Sequence, residues 1–180
     1  MLDLVIRNAR LPAAADGRLE REPGMTLVVC LARPDTRGTI MARSADPFDR
    51  PAIRPHYLAA HSDGRALLAG IEHARRIFAA PPLARHSAFE TMPGPEVRSE
   101  QALLDFMRQA GTNLHHPVGT CRMGEDPMAV VDSRLRVRGT SGLRVIDASI
   151  MPTVTTGNTN APSIMIGEKA AAMVLEDAAA

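Results

Sequence analysis

Gly157-Asn158-Thr159-Asn160-Ala161-Pro162-Ser-Ile-Met-Ile-Gly-Glu-Lys-Ala-Ala171 is the stretch on which the fold turns. Its first half is small and polar, and its second half has the spacing of a helix. Pro162 suits a first helical turn, where its missing N–H is not needed. Ile164, Gly167, Ala171, Val174 and Leu175 recur at helical intervals. The spacing predicts a last helix from near Pro162 to about Glu176, with those residues as its buried stripe. Asn158 and Asn160 suit the turn and the cap before it. They are also neutral amides that donate and accept hydrogen bonds without titrating. The two roles are compatible, because a helix start exposes N–H groups that favour developing negative charge.

Working outward, Leu143–Asp147 reads as a strand ending on an acid, followed by Ala148-Ser149-Ile-Met-Pro152. Arg134-Leu-Arg-Val-Arg138 alternates as a half-exposed strand does. The densest polar run is Asn113-Leu-His115-His116-Pro117-Val-Gly119-Thr120-Cys121-Arg122-Met123-Gly124. The imidazole of His116 can accept a proton and return it near neutral pH. From residue type alone, a histidine before proline in a loop is more often structural. His115, His116 and Cys121 match no familiar zinc spacing and lack an evident fourth ligand.

Toward the N-terminus, an apolar run Leu2–Ile6 precedes a turn-rich stretch at residues 16–24. Met25–Ala32 is rich in β-formers and is broken by Pro34, Asp35 and Gly38; Thr39–Arg43 is expected to return as its hairpin partner. Pro47, Pro51 and Pro55 mark an extended connection. A helix follows Asp63-Gly64, with Leu67, Ile71, Ala74 and Phe78 on one face and Pro81-Pro82 ending it. Another starts at Ser99, with Leu103, Phe106, Met107 and Ala110 on one face and Gly111 past its end. The pattern is α+β, without regular βαβ alternation. No Gly-x-Gly-x-x-Gly follows a strand, as a self-sufficient dinucleotide fold would show.

The composition narrows the function classes. The chain has 180 residues, 45% apolar and 23% charged, with a net charge of +1. That balance gives no electrostatic case for nucleic acid or an anionic membrane. Aromatics are 3% with no Trp, which disfavours a base-stacking platform. Two distant cysteines, Cys30 and Cys121, make no disulfide framework and are expected as reduced thiols. Neither a signal peptide nor a membrane-spanning run is evident, so a cytoplasmic protein is expected.

His116–Gly124, Val131-Asp132, Leu135–Gly139, Gly142–Pro152 and Gly157–Ala171 together resemble the C-terminal signature of the glucose–methanol–choline (GMC) oxidoreductase family, closest to its choline dehydrogenase-like branch. Arg33–Gly38, Ser44–Pro47 and Pro55–Leu58 resemble that family's substrate-domain segment. The resemblance covers most of residues 25–177. It implies FAD-dependent oxidation of a small alcohol to an aldehyde or ketone. It implies a substrate-domain antiparallel sheet with flanking helices at 1–110, partial in extent. Residues 111–177 would be a catalytic segment that helps complete a flavin-binding domain, and 178–180 a tail. Family members begin with a Rossmann-type half, and nothing here matches it. The expectation is therefore a fragment, split-gene product or degraded copy that needs a complementary N-terminal half to hold FAD.

By resemblance, His116 is the base near the reacting carbon and Asn158 holds the substrate oxygen, while hydride passes to flavin N5. Asp147 and Ala148 match positions near the ribityl and pyrophosphate, and Thr159 and Asn160 match the turn facing the flavin pyrimidine. Cys121 and Arg122 look structural. Two other functions stay open: a non-enzymatic remnant, and a small-molecule binding module. Without its other half, the chain is expected to expose Ile146, Ile150, Ile164 and Met165.

Overall fold

The run of Val28, Val29 and their neighbours favours an extended, pleated backbone. In the computed structural model, which describes the backbone of residues 2–8 and all of residues 24–179, Met25–Leu31 (β2) pairs antiparallel with Leu2–Asn8 (β1). Leu2 stands opposite Leu31 and Asn8 opposite Met25. The predicted hairpin between Met25–Ala32 and Thr39–Arg43 is not formed. Thr39–Met41 (β3) instead pairs with Ala52–Arg54 (β4), inside the expected connection. The reason lies at residues 34–37. The Asp35 and Thr36 N–H groups donate to the Asp63 carboxylate at 2.8 and 3.0 Å, and Arg37 Nη1 donates to the carbonyls of Pro34, Asp35 and Thr36. Backbone groups committed this way cannot close a hairpin turn. The turn-rich stretch at 16–24 falls, but for Gly24, outside the described residues.

The chain forms two compact units, one of Met1–Gly38 with Pro55–Thr112 and one of Thr39–Arg54 with Asn113–Ala180. Among the described residues, no helix is long and apolar enough to cross a membrane.

In the first unit, α1 (His61–Ala79) packs against β2. It begins two residues before Asp63, so that carboxylate sits in the first turn, where the helix dipole favours it. Pro81 does not simply end the helix but opens a short one, α2 (Pro81–Ala84). The next, α3 (Glu100–Ala110), starts as expected, with the Ser99 hydroxyl accepting from the Ala102 N–H at 3.2 Å. A Cβ at Gly64 would lie 3.2 Å from Leu104 Cδ2, so the glycine permits a close approach to α3. Arg75 on α1 ties down the 90–97 loop through both Glu90 oxygens and the carbonyls of Gly94 and Val97.

Asp63 is 4% exposed. Burial by itself pushes its carboxyl up. The Thr36 side chain, the Asp35 and Thr36 N–H groups and the Arg37 charge together outweigh that and hold it below the ordinary range. A depressed carboxyl contributes stability above the unfolded value and loses it as pH falls through the folded one. Asp63→Ala leaves two backbone donors without their acceptor and is expected to cost about 1–3 kcal/mol at neutral pH. The gap from the parent chain should shrink as pH falls below the ordinary carboxylate range. Urea unfolding at neutral and acid pH checks this, and a gap that is the same at both would refute it.

The second unit is built on Val131, Leu135, Ile150, Met151, Ile166 and Ala170, with Val118, Met123, Val137 and Met173 packed against them. The expected strands at Arg134–Arg138 and Leu143–Asp147 do not form. Only single bridges occur, Val131 with Val137 and Arg136 with Arg144. Asp132 Oδ1 accepts from the Arg134 and Arg136 N–H groups, Leu135 has φ 63°, and Gly139 and Gly142 have φ 76° and 72°. Such a backbone turns too often for a continuous ladder. The alternation itself survives, with Leu135 buried and Arg136 and Arg138 exposed.

The last helix, α4, spans Asn160–Ala178, two residues longer at each end than expected. Its buried stripe is not the predicted one. Ile166 and Ala170 face the core with Met173 beside them, while Ile164 is 61% and Leu175 72% exposed. Ala171 and Val174 are exposed too. The helix is apolar on both faces, so periodicity alone cannot choose between them. The choice is made at its C-terminal end. Arg134, Arg136 and Arg144 all donate to Asp177, which lies on the same face as Ile166, Ala170 and Met173. The Arg136 hydrogen bond first, and then the Arg134 and Arg136 charges against burial, hold the Asp177 carboxyl down to about 2. Ile146, Ile164 and Met165 are exposed as expected, but Ile150 is buried at 1%.

Candidate active site

All three polar runs singled out in the sequence lie in the second unit. The His116 loop is shaped locally. Asn113 Oδ1 accepts from the His115 N–H at 2.8 Å, and His115 itself takes a left-handed φ of 61°. Gly119 has φ 87°, and a Cβ there would lie 3.2 Å from the Met151 carbonyl oxygen. A side chain at this point would both strain the backbone and crowd the neighbouring turn. The loop then runs beside the 149–151 segment, with the Cys121 N–H donating to the Ser149 carbonyl at 3.0 Å and the Met123 N–H to the Ile150 carbonyl at 2.8 Å. Arg122 closes the loop with a two-pronged ion pair to Asp126 at 2.7 and 2.6 Å. The two cysteines are not bonded to each other.

Asp147 caps the short 3-10 turn Ala148–Ile150, its Oδ1 accepting from the Ser149 N–H at 2.7 Å. Its carboxylate is exposed, and no hydrogen bond joins it or Ala148 to His116.

The contact that joins the site is between His116 and Thr159. His116 Nδ1 and Thr159 Oγ1 are 2.8 Å apart, and the Thr159 N–H lies 3.4 Å from the same nitrogen. Thr159 is buried and stands as the cap residue of α4. Its carbonyl accepts from the Ser163 hydroxyl at 2.7 Å and the Ser163 N–H at 3.0 Å. The half-buried imidazole is thus held against the start of the helix from 43 residues away in sequence. Sequence reasoning gave Thr159 a cofactor role only and missed this link. Asn158 and Asn160, on either side of it, are exposed, and neither side chain makes a hydrogen bond among the described residues. The N–H groups of Asn160 and Ala161 likewise have no acceptor among them. His116 therefore shares its end of α4 with two uncommitted amides and two open N–H donors. No three His, Cys, Asp or Glu side chains among the described residues gather to hold a metal ion.

An imidazole held against a helix start has the means to exchange a proton beside a group that carries negative charge. Residues 34–167 match the GMC oxidoreductase family, and the chain belongs to it. It is 48% identical over 152 residues to the alcohol dehydrogenase [acceptor] of Pseudomonas putida, covering 84% of this chain and 28% of that one. It is 44% identical over 139 residues to the oxygen-dependent choline dehydrogenase of Chromohalobacter salexigens, covering 77% and 25%. The crystal structure of pyridoxine 4-oxidase from Mesorbium loti superposes with a TM-score of 0.76 at 34% identity, over 90% of this chain and 31% of that one. The chain thus spans between a quarter and a third of the length of these relatives.

Proposed function

We propose that this chain supplies the catalytic part of an FAD-dependent oxidoreductase that converts a small alcohol to an aldehyde or ketone. The observation that carries the proposal is the His116–Thr159 contact, which sets a candidate base beside unsatisfied donors at the start of α4. His116 accepts the hydroxyl proton of the substrate. The Asn158 amide donates to the substrate oxygen and stabilises the negative charge where it develops. A bound flavin supplies the hydride acceptor.

The donor set suits that group. The N–H groups of Asn160 and Ala161 and the Asn160 amide offer hydrogen bonds to the acceptor-rich pyrimidine edge, at the positive end of a helix dipole. Thr159 contributes to the same turn, and Asp147 and Ala148 are assigned to the ribityl and pyrophosphate side. Residues 1–110 belong in this scheme to the substrate-binding domain and 111–177 to the catalytic, flavin-facing segment. A nucleotide-binding half on a separate or longer polypeptide completes the flavin site. The exposed Ile164 and Leu175 face of α4 favours such a partner, because it is apolar and uncovered.

The purified chain alone is expected to show no flavin absorbance. Co-expression with a nucleotide-binding half from a relative should restore a yellow protein that bleaches when alcohol is added under anaerobic conditions. Stable flavin binding by the chain alone would remove the need for a partner half. A yellow assembly that no alcohol bleaches would end the oxidoreductase assignment.

A further inference from the structure

We infer that Asn113 is a positioning residue for His116, acting through the left-handed turn at His115; the inference rests on the role proposed for His116 and deepens it. Residues 113–115 are exposed, so packing does little to fix their path. Among the described residues, the stretch 113–118 makes hydrogen bonds at only two places. The Asn113 amide oxygen takes the His115 N–H at 2.8 Å, and the His116 ring meets Thr159. His115 has φ 61°. There a side chain is crowded by the backbone, and few residues other than glycine adopt it. An asparagine side chain can reach the backbone N–H two positions on and stand in for a turn-closing carbonyl. Asn113 does so here, and no other hydrogen bond holds the turn.

The residue after the turn is the one that matters. Pro117 disfavours the helical region for His116 and pushes it toward an extended backbone. The His116 backbone is thus confined on one side by a proline ring and on the other by the left-handed residue. If His115 relaxed to negative φ, the peptide between 115 and 116 would swing, and the His116 Cα–Cβ bond would turn away from Thr159. A shift of about 1 Å is enough to break the 2.8 Å contact between the ring and Thr159 Oγ1. Residues 113–115 lie outside the core built on Val131, Leu135, Ile150 and Ile166, so the turn can be undone without unfolding the unit. Asn113 therefore governs the aim of the imidazole and little else.

The test compares Asn113→Asp, which keeps the acceptor, with Asn113→Leu, which keeps the size and removes it. His115→Val attacks the same turn from its other end, because a β-branched residue tolerates the left-handed region poorly. In the full chain labelled with 13C and 15N, carbon shifts at residue 115 report its backbone conformation. Nuclear Overhauser contacts report the His116 ring against Thr159. The parent and Asn113→Asp should keep both signatures. Asn113→Leu and His115→Val should lose both, with the thermal midpoint moved by no more than about 4 °C, as at a surface position. In the flavin-loaded assembly these two should lower kcat about ten- to hundredfold, the cost of a misplaced catalytic group, with flavin content and KM little changed. Asn113→Asp should restore most of the rate. An Asn113→Leu chain that keeps the left-handed residue 115 and the ring contact overturns the inference, as does a loss of turnover that comes with general unfolding. A lost ring contact with unchanged turnover would support the positioning role while removing His116 as the base, so the two ideas fail separately.

Discussion

His116→Ala is expected to lower kcat of the flavin-loaded assembly by about 10²–10⁴-fold, the range ascribed to a positioned general base. Flavin content and the visible spectrum should stay as they are. The separation follows from where the side chain sits. Among the described residues its side chain bonds only to Thr159, and the loop that carries it is held by other contacts, from Cys121 and Met123 to the 149–151 segment. Removing the imidazole therefore takes away the proposed proton acceptor without releasing the loop. The donors assigned to the cofactor, at Asn160 and Ala161, lie on α4 and are untouched. Stopped-flow reduction by alcohol under anaerobic conditions reads the chemical step directly, and absorbance after unfolding gives the flavin content. If reduction stays within about threefold of the parent rate, His116 is not the base.

The second large effect is on stability. Ile150→Ala should destabilise the second unit by about 2–5 kcal/mol, the usual cost of emptying a buried aliphatic site. Ile150 is 1% exposed and lies in the core with Val131, Leu135 and Ile166. It is also the last residue of the 3-10 turn capped by Asp147, and its carbonyl takes the Met123 N–H at 2.8 Å. The cavity would open directly under the turn that the His116 loop leans on. A fall in the thermal midpoint should be accompanied by faster amide exchange at Met123 and Cys121. A loss under about 0.5 kcal/mol, as at a tolerant surface position, would contradict this account of the core.

How far the molecule could be read from its residues differs between its parts. The helices were legible because their signals are local: Ser99 caps α3, and Pro162 sits in the first turn of α4. The family resemblance brought together His116, Asn158 and the α4 start before any geometry was known. Strand pairing was not legible. Met25–Leu31 pairs with Leu2–Asn8 because Asp63, from a helix farther along the chain, commits residues 35 and 36 elsewhere. The face of α4 escaped for a related reason. Its hydrophobic pattern permits two rotations, and the three arginines that select one come from residues 134–144. The Thr159–His116 bond lay out of reach too, since no periodicity links a cap residue to a loop 43 residues upstream.

The arginine grip on Asp177 has a practical side. At about 1.5 Å per residue, α4 is a rod of roughly 28 Å, anchored at one end by charge and touching the imidazole at the other. Raising ionic strength weakens that anchor, and shortening the chain before Asp177 removes it. Affinity tags and fusions on this protein are therefore better joined well away from the last turn of α4, where they would crowd that anchor.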